Sequence, residues 1–129
     1  MINNLILIHN VFNFTRNQNK NFKEEYSKDM DIRHIVSISC YKESLELITR
    51  SVKSLSDQTE VGRISMVISF EEKTPEVKDK CNKLKEIFKS AGFEHLIFTI
   101  HPFGLPNEIP GKCSNANYSL RQAVQVLSR

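Results

Sequence analysis

Three short runs of apolar and β-branched residues recur along the chain, at positions 34–40, 64–70 and 93–100. Runs of this length that are bounded by polar or glycine-containing turns are typical of buried β-strands. The first run stops abruptly in a small polar loop, residues 40–43, which carries Tyr41 and Glu43. The pattern predicts three strands of a buried sheet. The first strand has the form expected where a ligand site lies at its carboxyl end.

Apolar residues recur at helical spacing between the first two runs. In segment 44–56 they are three or four residues apart, which places them on one face of a helix. Ser44 can cap the start of this helix, and Gly62 is expected to break the chain before the second strand. The apolar face comprises Leu45, Ile48, Val52 and Leu55.

A second helix is predicted between the second and third runs. Thr74 supplies a capping hydroxyl, and Pro75 suits the first helical position. Gly92 is expected to stop this helix at its C-terminus. The apolar face comprises Val77, Cys81, Leu84, Phe88 and Ala91.

Segment 101–117 is the most irregular part of the chain. It holds three of the four prolines and two of the four glycines, so regular structure is not expected anywhere within it. Helical spacing is evident over 114–127, through Leu120, Ala123, Val124 and Leu127. The chain is therefore expected to end in a third helix.

The predicted order is strand, helix, strand, helix, strand, loop, helix. Strands that alternate with helices of this length imply βαβ crossovers and a parallel sheet. We therefore expect an α/β fold, a Rossmann-like parallel sheet with helices on both faces. Ligands of such sheets bind outside the carboxyl ends of the strands, which here means the loops 40–43, 69–73 and 101–117.

Composition limits the organisation of the chain to a single domain. At 129 residues the chain suits one core and is too short for two ordinary ones. Residues 1–31 differ from the rest because seven asparagines fall within the first 21 positions. Such polar sequence cannot bury enough apolar surface to offset its ordering entropy. We expect a flexible leader over 1–31 and one partial domain over 32–129.

Charge and cysteine content narrow the classes of partner. The net charge of +3 is small and the basic residues are dispersed, so nucleic-acid binding is not expected. The three cysteines are far apart, which fits neither a disulfide framework nor paired zinc ligands and favours a cytosol-facing compartment. No apolar run reaches the roughly 18 to 20 residues of a spanning helix, so this chain is expected to be soluble or peripheral.

Three segments together resemble the family 2 glycosyltransferases. Ile-Val-Ser-Ile-Ser-Cys-Tyr-Lys-Glu-Ser, residues 35–44, is similar to the family's opening strand, which usually continues into Pro-x-Tyr-Asn-Glu. Met-Val-Ile-Ser-Phe-Glu-Glu-Lys, residues 66–73, looks like its second strand, which usually ends in one or two acids. The most specific segment is 101–117, where Gly-Lys-x-x-Asn follows a His-Pro and a Glu, as in one membrane-associated branch of the family.

This resemblance implies a GT-A fold that binds a nucleotide diphosphate sugar at the carboxyl ends of the strands. By the same resemblance, Tyr41 would lie against the base and Glu43 would hold polar groups of the ribose or base. Glu71 would read the base, and Lys112 and Asn115 would lie near the ribose and diphosphate. These residue types suit those roles, because an aromatic ring stacks on a base and a lysine pairs with phosphate.

The chain departs from the family pattern in several places. Cys40 and Lys42 replace the usual proline and asparagine around Tyr41. The strand that ends in Asp-x-Asp in the family would follow Arg129, so the full enzyme's divalent cation, Mn²⁺ or Mg²⁺, has no expected ligands here. The general base, the acceptor motif and the membrane segments are likewise expected outside this chain. The resemblance thus implies the nucleotide-sugar-binding half of an inverting glycosyltransferase.

Simpler interpretations of the same residues stay open. Tyr41 could be an aromatic at the sheet rim, Glu43 a carboxylate at a helix start and Glu71 part of a solvated turn. Lys112 could be a solvated loop lysine, and His101 is more readily a structural histidine with satisfied partners than a metal ligand or base. The alternative function is a small non-catalytic α/β module for nucleotide binding or protein interaction, or a decayed fragment.

Overall fold

The three apolar runs form a parallel sheet with the second strand at its centre. Strand β1 spans His34–Cys40, β2 spans Ile64–Glu71 and β3 spans His95–His101. The order is β1-β2-β3, and both pairings are parallel. All three strands therefore end at one edge of the sheet, called here the carboxyl edge.

The computed structural model describes residues 31–129. Within them a compact unit spans Ile32–Arg129. The leader predicted over 1–31 lies outside the described residues, apart from Asp31.

Two helices cover the apolar face of the sheet. Helix α1 spans Leu45–Ser56 and helix α2 spans Val77–Phe88. Every residue of β2 from Ile64 to Phe70 is buried, as expected for a strand covered on both faces. The core joins alternate residues of the sheet to the apolar stripes of both helices: Cys40, Met66, Ile68 and Phe70 meet Ile48, Val52, Leu84 and Phe88.

The third helix packs on the opposite face through polar contacts. Helix α3 spans Lys112–Leu127 and contacts all three strands. Because successive strand residues point to opposite faces, Ser37 and Ser69 point away from the apolar core and towards α3. Ser37 Oγ lies 3.0 Å from Ser119 Oγ, and Ser69 Oγ donates to Asn115 Oδ1. The predicted α/β class with a parallel sheet and helices on both faces is therefore confirmed for residues 31–129.

The predicted bounds of the first helix are confirmed. Helix α1 ends at Ser56, and Gly62 lies six residues later in a 3₁₀ turn, Val61–Arg63, before β2. The predicted start of the second helix is wrong. Thr74 does not cap α2, because its Oγ1 has no hydrogen-bond partner within residues 31–129. Its backbone N–H donates to the Glu71 carbonyl at 2.9 Å and closes a turn before the helix. The helix starts at Val77 instead.

The irregular segment before α3 is shorter than predicted. Helix α3 begins at Lys112, so residues 112–117 are helical. All the prolines and glycines of segment 101–117 precede Lys112, and the residues after it have no intrinsic obstacle to a helix. Burial of Asn115 against Ser69 further ties this first turn to the sheet.

Candidate functional site

The loops at the carboxyl edge surround one cavity of about 280 Å³. Four residues that the sequence singled out line it, namely Tyr41, Glu71, Lys112 and Asn115. They come from three separate parts of the chain, which meet because the strands are parallel. The other lining residues are Ser39, Cys40, Lys73, Phe103, Pro110 and Gly111.

Glu43, the fifth predicted residue, does not line the cavity but contacts two residues that do. Its Oε2 accepts from the Tyr41 backbone N–H at 2.5 Å, and its Oε1 lies 3.0 Å from Lys112 Nζ. The N–H of Tyr41 and the ammonium of Lys112 lower the pKa of Glu43 to about 2. Glu43 is thus ionised at neutral pH and holds the loop of β1 against the start of α3.

Asn115 lines the cavity as a nearly inaccessible side chain. It is 1% exposed, and its Oδ1 accepts from Ser69 Oγ. A side chain held in this way defines the floor of the cavity and fixes the first turn of α3.

Glu71 presents two carboxylate oxygens with different surroundings. Its Oε2 lies 3.0 Å from His101 Nδ1. Its Oε1 is buried and has no hydrogen-bond partner among residues 31–129. A buried acceptor without a donor costs about 1 to 3 kcal/mol. Because this oxygen is buried, the carboxylate has to turn before a donor in the cavity can reach it.

His101 is enclosed by acidic groups at the end of β3. Its Nε2 lies 2.8 Å from Glu108 Oε2, opposite the contact between Nδ1 and Glu71. The Tyr118 ring of α3 packs 5.1 Å from the imidazole, centre to centre. Burial alone would lower the pKa of His101, but the contacts with Glu108 and Glu71 outweigh it and raise this pKa above its ordinary value.

Phe103 and Lys73 belong to the cavity although no role was assigned to them from the sequence. The Lys73 ammonium lies 3.2 Å from the centre of the Phe103 ring, in cation–π contact. The backbone N–H of Phe103 donates to Glu72 Oε2 at 2.9 Å. The signal was present, since Phe103 follows a strand end just as Tyr41 does.

Cys40, in the cavity wall, is an unreactive thiol at neutral pH. Burial, aided by the nearby charge of Glu43, raises the pKa of the Cys40 thiol to about 12. The thiolate is the nucleophilic and metal-binding form, so Cys40 contributes only its shape. All three cysteines are free.

The described residues do not fit a divalent cation. No group of three or more His, Cys, Asp or Glu side chains in residues 31–129 could hold a metal ion. Glu71, His101 and Glu108 are close together, but the two carboxylates contact opposite nitrogens of the ring. These three groups are therefore directed at one another rather than at a shared point.

Membrane segments were expected only outside this chain. Over residues 31–129, none of the helices combines the length and the apolar character that crossing a bilayer requires.

The walls of the cavity combine three kinds of chemistry. Tyr41 supplies an aromatic ring and Glu71 an acceptor, while Lys73 and Lys112 supply positive charge. Helix α3 also begins here, and its first N–H groups have no side-chain cap. Such an arrangement suits a ligand that has a flat ring, hydroxyl or N–H donors and an anionic group.

Comparison with protein-family models, curated proteins and solved structures found no match to this chain. The glycosyltransferase resemblance therefore stays a prediction from the motif residues.

Proposed function

We propose that the carboxyl-edge cavity binds the nucleotide diphosphate portion of a nucleotide diphosphate sugar. In this proposal the chain is the donor-binding half of a family 2 glycosyltransferase. The observation that carries it is the convergence of Tyr41, Glu71, Lys112 and Asn115 around one cavity. The resemblance assigned all four to donor binding, although they are distant in sequence.

Tyr41 is the proposed contact for the base. Tyr41 is 38% exposed and lines the cavity, and Glu43 accepts from its backbone N–H. The Lys42 ammonium lies 5.4 Å from the centre of the Tyr41 ring. Phe103 is less suited to this role, because the Lys73 ammonium lies closer to the centre of its ring, at 3.2 Å. Stacking on an aromatic side chain is worth about 1 to 3 kcal/mol per base.

Lys112 is the proposed partner of the diphosphate. Its side chain is 73% exposed and is paired with Glu43 from one side only, so the ammonium has further donors for an anion. It is also the first residue of α3, where the helix dipole favours negative charge. The positive charge of Lys73 lines the same cavity.

Glu71 is the proposed acceptor for a ribose hydroxyl or a base N–H. Glu71 lines the cavity, and its Oε1 is buried without a donor in the described structure. In this proposal the carboxylate turns that oxygen towards the cavity to accept from the ligand. The volume of about 280 Å³ lies just below the roughly 300–1,000 Å³ typical of ligand sites. This size suits a base and ribose inside, with the diphosphate at the rim.

The proposed role of this chain is binding and orientation. In the whole enzyme, a divalent cation would neutralise the leaving diphosphate during transfer with inversion. Residues 31–129 do not fit that cation. Tyr41, Glu71 and Lys112 would hold the donor, and Glu43 and Asn115 would fix their positions.

Calorimetric titration with uridine diphosphate and guanosine diphosphate, with and without manganese, tests this proposal. We expect metal-independent binding of at least one nucleotide, weakened roughly 5-fold to 150-fold by Tyr41→Ala through loss of stacking. Ile87→Ala is the matched control, because Ile87 is similarly exposed, at 51%, and lies on α2 away from the cavity. Equal effects of the two substitutions, or no binding by the folded chain, would contradict the proposal.

A further inference from the structure

The contacts of His101 require a particular protonation state. Its two ring nitrogens lie 3.0 Å and 2.8 Å from carboxylate oxygens of Glu71 and Glu108. An ionised carboxylate only accepts hydrogen bonds, and a neutral imidazole has a single N–H. Only the imidazolium can donate to both carboxylates at once. We call this pair of contacts the His101 bridge.

The His101 bridge joins the sheet to the segment that closes one side of the cavity. His101 ends β3 and Glu71 ends β2, whereas Glu108 belongs to segment 102–111. The segment has further contacts near its two ends. The Lys73 ammonium lies over the Phe103 ring, and the Gly111 carbonyl accepts from the Asn115 N–H at 3.1 Å. Phe103 N–H donates to Glu72, and Ser114 Oγ donates to the Ile109 carbonyl. The side chain of Ile109 itself is 87% exposed.

Because the side chains of the His101 bridge are largely buried, an unpaired charge among them is poorly solvated. His101 is 3% exposed, and the side chains of Glu71 and Glu108 are only 17% and 23% exposed. In the described structure, the ionisable groups in contact with the imidazole are these two carboxylates and the phenol of Tyr118. Loss of the imidazolium proton leaves one buried carboxylate facing a ring nitrogen lone pair.

We propose that His101 is a positioning residue whose protonated form fastens segment 102–111 to the carboxyl edge and orients Glu71 in the cavity. Three lining residues, Phe103, Pro110 and Gly111, belong to that segment. Ligand binding is then strongest while His101 is protonated, a consequence that rests on the proposed nucleotide site. The attachment of segment 102–111 by protonated His101 does not depend on that nucleotide site.

The direction of the pH dependence follows from the raised pKa of His101. A histidine that gains partners on folding stabilises the folded state fully below its unfolded pKa, about 6.5. That contribution is lost as the pH rises through the higher folded pKa. The bridge should therefore be intact below pH 6.5 and open once the pH exceeds the raised pKa of His101 in the folded state.

Nuclear magnetic resonance of the ¹⁵N-labelled chain, from about pH 5 to about pH 9, tests the bridge directly. The ring nitrogens of His101 report its protonation, and the amides of segment 102–111 report its attachment. We expect both to change together, above the ordinary histidine pKa of 6.5. The affinity for uridine or guanosine diphosphate should fall about tenfold over the same range, the effect of one lost charged hydrogen bond.

Two substitutions of Glu108 separate protonation from simple packing. A glutamine amide can accept from an imidazolium or donate to a neutral imidazole. In Glu108→Gln we therefore expect a lower His101 pKa and a segment that stays attached across the range. Glu108→Ala should detach the segment at every pH. Glu86→Gln is the control, since Glu86 is exposed on α2.

The results distinguish this inference from the proposed function. The His101 bridge is not a protonation-dependent attachment if the amide signals of segment 102–111 do not change as His101 titrates. The same conclusion follows if the Glu108→Gln variant has the wild-type pH profile. If segment and histidine titrate together but neither nucleotide binds at any pH, the bridge stands and the nucleotide proposal fails.

Discussion

At the scale of single residues, Glu43 was predicted to contact the ligand, and in the structure its carboxylate contacts two other residues of the site. The sequence places it beside Tyr41, and the resemblance suggests contact with the ribose or base. Both of its oxygens are already used, by the Tyr41 N–H and by Lys112. The partner on α3 could not be predicted, because it is 69 residues away in sequence.

We expect Glu43→Gln to lower the free energy of unfolding by about 1 kcal/mol at neutral pH, a modest value because the ion pair is partly exposed to solvent. The pKa of Glu43 is lowered from 4.5 to about 2 on folding, so its stabilising effect exists above pH 4.5 and disappears as the pH falls towards 2. Urea unfolding of the wild type and the Glu43→Gln variant at several pH values measures this difference in the free energy of unfolding. A difference that persists undiminished in acid, or that equals the effect of Glu86→Gln, would contradict the assignment.

Residue types alone revealed part of the site. Tyr41, Glu71, Lys112 and Asn115 could be singled out because they follow strand ends or match a motif, and the structure brings all four to one cavity. The His101 bridge could not be foreseen, since Glu108 lies in an irregular loop whose path depends on tertiary contacts. His101 was expected to be a structural histidine with satisfied partners, and its contacts with two carboxylates agree with that expectation.

At the scale of elements, two hydroxyls that look alike in sequence behave differently. Ser44 and Thr74 were both predicted as helix caps. Ser44 Oγ accepts from the Leu47 N–H at 3.2 Å, at the start of α1. Thr74 Oγ1 is buried and unpartnered within the described part of the chain. The position before α2 is taken by Glu76, in a left-handed conformation with φ of 54°.

We predict that Ser44→Ala lowers the free energy of unfolding by about 1 kcal/mol, the usual cost of losing a cap. Thr74→Val should leave it unchanged or raise it, because valine has a similar shape and removes a buried hydroxyl that has no partner. Chemical denaturation of the two variants beside the wild type makes the comparison. A loss for Thr74→Val as large as that for Ser44→Ala would show that Thr74 does act as a cap.

At the scale of the whole molecule, the two faces of the sheet are held by different chemistry. Apolar packing joins α1 and α2 to one face, and this face was predictable because burial leaves a periodic pattern. Helix α3 meets the other face through Ser37, Ser69, Asn115 and Ser119. These pairings depend on strand register and helix placement, so the sequence pattern does not reveal them. The start of α3 at Lys112 was missed for the same reason.

The polar packing of α3 also explains why the candidate site lies where it does. Asn115 anchors the first turn of the helix to the central strand, which places the helix N-terminus and Lys112 beside the ends of β1 and β2. The parallel sheet supplies the loops, and α3 completes the cavity. We propose that this cavity at the carboxyl edge, and no other hollow of the described structure, binds the nucleotide.

The most direct test is the change in ¹H–¹⁵N spectra of the full chain on addition of uridine diphosphate and, separately, guanosine diphosphate. We expect shifts concentrated in the amides of residues 40–43, 71–73 and 103–115. A larger hollow of about 540 Å³ at the opposite edge, lined by Lys85, Phe93 and His95 among others, provides an internal control. Shifts centred on that hollow, or no shifts with either nucleotide, would contradict the account.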